Sequence, residues 1–183
     1  DPLWSRGLGD VYKRQQLEQV QQRLNRELNR ARLAGDALPG VLFECDAELP
    51  GLLATLNMIH GQHLELSYQA PPGLRLPWDR EDLLELLGNL LDNACKWADA
   101  QVRLSVEERP QGFCLAVDDD GPGIPEARRD EVFGRGTRLD EQTHGHGLGL
   151  GIVRDIVDAC GGTLNLGESE WGGLRVEIEL PRR

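Results

Sequence analysis

The sequence predicts an α+β fold, a two-layer α/β sandwich in which helices cover one face of a mixed sheet, preceded by a long N-terminal helix. Three observations support this expectation. Short alternating or apolar segments have the pattern of strands, longer segments repeat apolar residues every three or four positions, and Gly/Pro-rich turns separate the two kinds. No internal repeat is present, so we expect the strands to form one sheet.

The composition is that of a soluble globular protein, because 39% of the 183 residues are hydrophobic and 28% are charged. No apolar run approaches the roughly 18 residues that span a membrane, and the start lacks the apolar core of a signal peptide. We therefore expect a cytoplasmic domain, free or as the soluble part of a membrane protein. The net charge of −11 disfavours nucleic-acid partners but does not exclude a phosphate ligand held by local donors.

The N-terminal part of the chain differs from the rest. Residues 1–15 have no clean periodicity, and we expect an unstructured or foreign leader there. Residues 16–36 carry a narrow apolar stripe, typical of a coiled coil or a helical hairpin, and such a helix needs a partner. The stripe consists of Leu17, Val20, Leu24, Leu28 and Ala31. Because the chain begins with Asp1 and its single methionine is Met58, we expect a fragment whose main domain covers residues 40–183.

The elements of this domain follow from periodicity and turn signals. We expect helices at residues 47–61 (starting near Pro50), 79–98 (capped by Asp79), 126–132 and 147–160. We expect strands at residues 40–45, 64–69, 74–76, 102–107, 113–117, 163–166 and 174–180. The cysteines lie inside these elements without a CxxC pair, which predicts reduced core residues rather than zinc ligands or disulfides. They are Cys45, Cys95, Cys114 and Cys160.

The helix at residues 79–98 has two distinct faces. On a helical wheel its leucines gather on one side, while Asn89, Asn93 and Lys96 gather with Glu85 and Asp92 on the other. A plain solvated face is one interpretation, but such a face usually prefers Glu and Lys to Asn. Amide oxygens suit a hard cation such as Mg²⁺, and an ammonium suits a neighbouring phosphate. The strip is therefore a candidate wall of a magnesium–nucleotide site.

A Gly/Pro-rich loop, DDDGPGIP, follows the strand at residues 113–117. An acidic turn is the simplest interpretation, and a calcium loop is disfavoured because EF-hand ligands alternate and end in glutamate. The glycines let the backbone approach a flat ligand closely. A carboxylate beside them can accept a hydrogen bond from an exocyclic amine such as that of adenine.

A second glycine-rich segment, HGHGLGLG, opens the helix at residues 147–160. Its free backbone N–H groups at a helix N-terminus favour an anion, although its spacing matches neither a P-loop nor a Rossmann motif. The two histidines lack a third ligand for a metal. Arg135 and Arg138 lie in the polar stretch between the two loops, and we interpret them either as a solvated face or as phosphate contacts from a lid.

These pieces together resemble the boxes of sensor histidine kinases. The segment NLLDNACK, starting at Asn89, resembles the N box, and DDGPGI, starting at Asp119, resembles the G1 box. The segments VFGRG and GHGLGL resemble the F and G2 boxes. Four motifs in order are far more specific than one, and the resemblance covers about residues 40–183. Together with the later GES and WGG segments, it is closest to the PhoQ type of sensor kinase.

The resemblance implies a Bergerat-type ATP-binding fold with ATP and Mg²⁺ as ligands. By position, Asn93 would hold Mg²⁺ with Asn89 close to the metal and the phosphates. Lys96 would meet phosphate, and Trp97 would lie against the nucleotide. Asp119 would accept from the adenine N6 amine.

The glycine loops and the lid complete this implied site. Gly121, Gly123 and Ile124 would shape the adenine pocket. Arg135, which counts with Asn89 and Lys96 as catalytic, would contact phosphate together with Arg138. The segment that contains Gly145, Gly147, Leu148 and Gly149 would close over the triphosphate. Residues 16–36 would be the second helix of a truncated dimerisation hairpin.

The resemblance also sets limits. The family's phosphoacceptor histidine has a following acidic residue and proline, a context that His60, His63, His144 and His146 lack. We therefore expect this piece to bind ATP without phosphorylating itself. Its partners would be a dimerisation domain with the acceptor histidine and a cognate response regulator, within a membrane-anchored homodimer. A hydrolase of the gyrase, Hsp90 or MutL kind, an anti-sigma-type serine kinase and a non-catalytic docking relic remain as alternatives.

Overall fold

The computed structural model describes residues 42–61, 63–133 and 149–183. The helices are α1 (Cys45–His60), α2 (Arg80–Trp97) and α3 (Gly149–Ala159), with a 3-10 helix at Glu126–Phe133. The strands are β1 (Leu42–Glu44), β2 (Glu65–Gln69), β3 (Arg75–Asp79), β4 (Gln101–Arg109), β5 (Gly112–Asp119), β6 (Thr163–Glu168) and β7 (Leu174–Pro181). The predicted leader and hairpin helix at residues 1–36 lie outside the described residues.

The strands form a five-stranded mixed sheet of order β2-β4-β5-β7-β6. β2 and β4 are parallel, and the remaining neighbours are antiparallel. β1 and β3 pair with each other in a separate two-stranded sheet, so the expectation of one sheet is wrong. Pro77 in β3 cannot donate to a ladder, which suits a short strand with few partners better than the main sheet.

The core lies between α2 and one face of the large sheet. The leucines that the helical wheel gathered are buried, as predicted, and the opposite face of α2 is partly or fully exposed. The sheet contributes alternate residues of β4, β5 and β7, because side chains alternate between the two faces of a strand. Residues with at most 3% exposure in this layer include Leu83, Leu86, Leu87, Leu90, Leu91, Val102, Leu104, Val106, Leu115, Val117, Val176 and Ile178. The predicted α+β sandwich is thus confirmed.

The start of α1 differs from the expectation. The helix begins at Cys45 rather than near Pro50, which lies inside it. Proline removes one intrahelical hydrogen bond, and tertiary contacts at the first turn offset the loss. The backbone N–H of Cys45 donates to the Leu74 carbonyl at 3.1 Å, and Asp46 accepts from the Gly73 N–H at 2.7 Å.

The four cysteines are free and buried, as the sequence predicts. Burial raises the pKa of the thiols of Cys45, Cys95 and Cys160 to about 11. Thiols in this state are poor nucleophiles and poor metal ligands. None of the helices in the described part of the chain combines the length and hydropathy that spanning a bilayer requires.

Candidate functional site

The three consecutive aspartates at the end of β5 have three different environments. Asp118 points to one side of the sheet, where its Oδ2 lies 2.7 Å from Nη1 of Arg175. Asp119 lies on the opposite side, because neighbouring strand residues point to opposite faces. Asp120 accepts hydrogen bonds from the backbone N–H groups of residues 99–101 at 2.9 to 3.2 Å. The triplet is therefore neither a calcium loop nor a simple acidic turn.

The hydrogen bonds of Asp120 tie the β5 loop to the turn that follows α2. Burial raises the pKa of Asp120, but the hydrogen bonds from Ala100, Gln101 and Asp99 lower it by a larger amount. The pKa therefore lies below its ordinary value. Asp120 thus acts as an ionised cap that keeps the end of α2 beside the loop after β5.

Asp119 is a buried carboxyl group, only 3% exposed. Its Oδ1 accepts from the backbone N–H of Gly121 at 2.9 Å and from that of Leu174 at 3.1 Å. Burial raises the pKa of Asp119, and these two hydrogen bonds partly oppose the rise. Both donors bind the same oxygen, so the carboxyl group is held in one orientation.

A turn at residues 169–173, between β6 and β7, contacts Asp119. The hydroxyl of Ser169 donates to the main-chain oxygen of Asp119 at 2.6 Å and accepts from the N–H groups of Trp171 and Gly173. The space around the Cα atom of residue 173 admits the hydrogen of glycine but not a Cβ atom. A Cβ there would lie 2.2 Å from the Asp119 carbonyl oxygen and 2.5 Å from Oδ1.

The glycines of the DDDGPGIP loop allow close approaches between backbone segments, and their predicted approach to a flat ligand stays a prediction. A Cβ on Gly121 would lie 2.3 Å from the carbonyl oxygen of Trp97, so this glycine lets the loop pack on the end of α2. Gly123 has a φ of 69° and lies against Gly172 and Gly173. In the described residues these glycines therefore approach other backbone segments. They also place the loop after Asp119 against the C-terminal end of α2.

The polar face of α2 carries the two predicted asparagines one turn apart. Both side chains are partly exposed. The Nδ2 of Asn89 donates to the Glu85 carbonyl oxygen at 2.7 Å. Only the NH₂ group can donate to a carbonyl, so the Oδ1 of Asn89 points away from the helix backbone. Asn89 thus presents an oxygen on the same face as Asn93.

Lys96 and Asp92 form an ion pair within α2 on this face, and His60 of α1 contacts the same carboxylate. The Nζ of Lys96 lies 2.8 Å from Oδ2 of Asp92, and Nε2 of His60 lies 2.7 Å from Oδ1. Burial raises the pKa of Asp92, but the hydrogen bonds from Lys96 and His60 lower it by more, so the pKa lies below its ordinary value. The predicted phosphate ligand Lys96 is therefore held by a carboxylate next to Asn93.

The predicted site residues fall into two groups. Asn89, Asn93, Lys96, Trp97, Asp119, Gly121, Gly123 and Ile124 lie on α2 or on β5 and its loop, and Gly149 is the first residue of α3. Arg135, Arg138, Gly145, Gly147 and Leu148 lie outside the described residues, so their roles stay predictions.

Sequence reasoning missed Ser169, Gly173, His60 and Arg129. Arg129 holds the loop by donating from Nε to the Ile124 carbonyl at 3.1 Å. Only the GES and WGG segments pointed toward the turn with Ser169 and Gly173.

This arrangement is that of a known family. Residues 78–183 match the model of the histidine kinase-, DNA gyrase B-, and HSP90-like ATPases. The chain belongs to this ATPase family. The domain therefore binds ATP, and the match spans both α2 and the β5 loop.

Relatives of the domain are sensor kinases. The chain is 67% identical over 168 residues to the sensor protein kinase CarS of Pseudomonas aeruginosa, a match that covers 92% of this chain and 38% of that protein. It is 32% identical over 171 residues to the sensor protein PhoQ of Escherichia coli, covering 92% of this chain and 35% of PhoQ. This chain therefore spans little more than a third of the curated relatives that it matches.

A solved structure supports the same fold. The mycobacterial sensor histidine kinase MprB superposes with a TM-score of 0.68 at 28% identity, covering 78% of this chain and 97% of that one. The resemblance to sensor histidine kinases, including the PhoQ type, is confirmed by these comparisons.

Proposed function

We propose that this chain is the ATP-binding catalytic domain of a two-component sensor histidine kinase, which transfers the γ-phosphate of ATP to a histidine of a dimerisation domain. The observation that carries the proposal is a buried, oriented carboxyl group, Asp119, in a segment whose loop packs on the C-terminal end of α2, the helix that carries the two asparagines. Asp119 would accept from the adenine N6 amine through Oδ2, since Oδ1 already accepts from Gly121 and Leu174.

Magnesium fits the chemistry of the α2 face. Asn89 and Asn93 offer neutral oxygens, and Mg²⁺ in nucleotide sites is held by few protein ligands together with phosphates. Asn93 would hold the ion with Asn89 close to it. Lys96 would turn from Asp92 toward a phosphate, and Arg135 and Arg138 would contact phosphates from the segment that precedes α3. The ion would supply charge neutralisation around the phosphates.

The identity of residue 89 favours phosphoryl transfer over hydrolysis. By resemblance, the hydrolases of the fold place a glutamate one turn before the metal-binding asparagine, as a base for water. This chain has Asn89 there, and an amide is no general base. Transfer to a supplied histidine needs mainly positioning and charge neutralisation, which the amide face can provide.

The partners follow from the relatives. CarS and PhoQ are sensor kinases by name. We propose that this domain works on the cytoplasmic side of a membrane-anchored homodimer, with an acceptor histidine on a hairpin that residues 16–36 help to form. A cognate response regulator would receive the phosphoryl group.

Nucleotide binding is tested first. Calorimetry with ATP should show Mg²⁺-dependent binding to the full chain. Asn93→Ala should weaken it at least tenfold and leave the melting temperature nearly unchanged, because Asn93 is a partly exposed residue. Asn165→Ala, on the exposed edge strand β6, is the matched control and should bind ATP as the parent does. Undiminished affinity in Asn93→Ala would refute the metal role.

Phosphotransfer is tested with γ-labelled ATP and a supplied hairpin domain that bears the acceptor histidine. Acid-labile label on the hairpin supports a histidine kinase. Phosphate release alone would indicate a hydrolase, acid-stable label on a serine would indicate the serine kinase, and absence of ATP binding would indicate a docking relic. The isolated chain should stay unlabelled, and label on it would contradict the proposed absence of an acceptor histidine.

A further inference from the structure

Ser169 is a buried hydroxyl, 5% exposed, whose hydrogen-bonding capacity is used in full. Its Oγ donates to the Asp119 carbonyl oxygen at 2.6 Å and accepts from Trp171 N at 3.2 Å and Gly173 N at 3.1 Å. A hydroxyl has one donor and two acceptor positions, so every one of them has a partner. Such a group specifies the geometry of its surroundings more strictly than an apolar residue of the same size.

The position of Ser169 in the sheet explains what this hydroxyl does. The pairing of β5 with β7 ends at Asp118 and Arg175, one residue before Asp119. Ser169 supplies a donor to the Asp119 carbonyl just beyond the last pair. The backbone N–H of Leu174, at the other end of the same turn, donates to Oδ1 of Asp119. One short turn thus holds both the main chain and the side chain of Asp119.

The turn also fixes the distance between Asp119 and its neighbours. Ser169 donates from its backbone N–H to the Gly173 carbonyl at 2.9 Å, which closes the turn on itself. Gly173 in turn packs directly against the Asp119 carboxyl and carbonyl oxygens. Movement of Ser169 would therefore shift Gly173 and Leu174, two of the residues that touch the Asp119 side chain.

We propose that Ser169 is a positioning residue that sets the preference of the site for adenine, by holding Asp119 in the orientation that accepts the N6 amine. The inference rests on the proposed role of Asp119. Ser169 itself need not touch the base. Its removal would leave Asp119 buried but less fixed, so the selectivity for a base with an amine would fall more than the affinity for the triphosphate.

The experiment compares two nucleotides on the full chain with Mg²⁺ present. The ligands are ATP and purine riboside triphosphate, which lacks the N6 amine, and the readout is the ratio of their dissociation constants. Ser169→Ala removes the hydroxyl. Ser105→Ala is the matched control, because Ser105 lies in β4, paired with Ala116 and away from Asp119. We expect Ser169→Ala to reduce the ratio about three- to tenfold, the factor that one neutral hydrogen bond represents. Ser105→Ala should leave it unchanged.

The outcomes separate this inference from the proposed function. A parent protein that binds ATP without preferring it to the analogue overturns the role of Asp119 and this inference together. A parent that prefers ATP, with Ser169→Ala weakening both nucleotides equally, overturns only the positioning role. Should Ser169→Ala not fold, Ser169→Cys replaces it. Its thiol fills a similar volume but is a weak donor, so a reduced ratio supports the proposal and an unchanged ratio overturns it.

Discussion

Replacing Gly173 with alanine tests the contact that the candidate site depends on most. A Cβ at this position would lie 2.2 Å from the Asp119 carbonyl oxygen, 0.8 Å closer than the 3.0 Å that side-chain carbons keep from other heavy atoms. The obstacle is backbone, so no flexible side chain can move aside. The turn must retreat from β5, which breaks the hydrogen bonds from Ser169 and Leu174 to Asp119.

The expected loss in the free energy of unfolding follows from the overpacking and from the lost hydrogen bonds. Overpacking typically costs about 1–3 kcal/mol, and each lost neutral hydrogen bond adds about 0.5–1.5 kcal/mol. We expect Gly173→Ala to lower the free energy of unfolding by about 2–6 kcal/mol, or the melting temperature by roughly 4–24 °C for a domain of this size. ATP affinity should fall at least tenfold, because Asp119 is displaced.

The assays are thermal unfolding and calorimetric ATP titration of the full chain. Gly167→Ala is the matched control, because a Cβ on Gly167 in β6 would meet nothing within 4 Å. This variant should melt and bind ATP like the parent. A Gly173→Ala protein that melts within about 2 °C of the parent and binds ATP equally well would refute the packing argument.

Three further predictions concern stability. Gly151→Ala in α3, where a Cβ would meet none of the described residues within 4 Å, should stabilise the protein by about 0.5–1 kcal/mol in chemical denaturation. Arg175→Leu removes the nearer of the two arginines beside Asp118, which is 0% exposed, and leaves Nη2 of Arg103 at 3.8 Å. This change should cost about 2–3 kcal/mol, less than the loss of a fully buried pair, because Arg175 is partly exposed and Arg103 remains. The pKa of Asp92 lies below its ordinary value of 3.8, so its stabilisation is present at neutral pH and lost as the pH falls below about 4. The difference in unfolding free energy between the parent and Asp92→Asn should therefore shrink between pH 7 and pH 3.

Local signals account for the elements that the sequence predicted well. α2 runs from Arg80 to Trp97, within a residue or two of the expected bounds, because Asp79 accepts from the Glu81 N–H at 2.9 Å as an N-cap and the leucine period continues to the end. The start of α1 was missed because the first-turn contacts of Cys45 and Asp46 come from residues 73–74, far along the chain. The low helix propensity of Pro50 carries no information about these long-range contacts.

The features that the sequence did not predict depend on strand pairing and side-chain contacts between distant parts of the chain. β7 enters the sheet between β5 and β6, and nothing in the strand patterns specifies that order. Without it, the proximity of Ser169 and Gly173 to Asp119 cannot be inferred, since 50 residues separate Ser169 from its acceptor. The pair of His60 and Asp92 is likewise 32 residues apart and joins two helices. The sequence could locate Asp119 by its motif, but the residues that orient it depend on the sheet.

Asn89 connects the sequence argument with the structure. Its chemistry alone argued against a hydrolase, because an amide cannot take a proton from water. The structure adds an orientation, since Nδ2 is the only part of the Asn89 side chain that can donate to the Glu85 carbonyl. The amide oxygen must then point away from that carbonyl, on the helix face that also carries Asn93 one turn later. A glutamate at position 89 would carry no donor for that carbonyl when ionised, so its carboxylate would have to turn elsewhere. The exchange of glutamate for asparagine thus changes both the proton chemistry of this position and the way its side chain is held. Both changes favour a residue that orients charge rather than one that activates water.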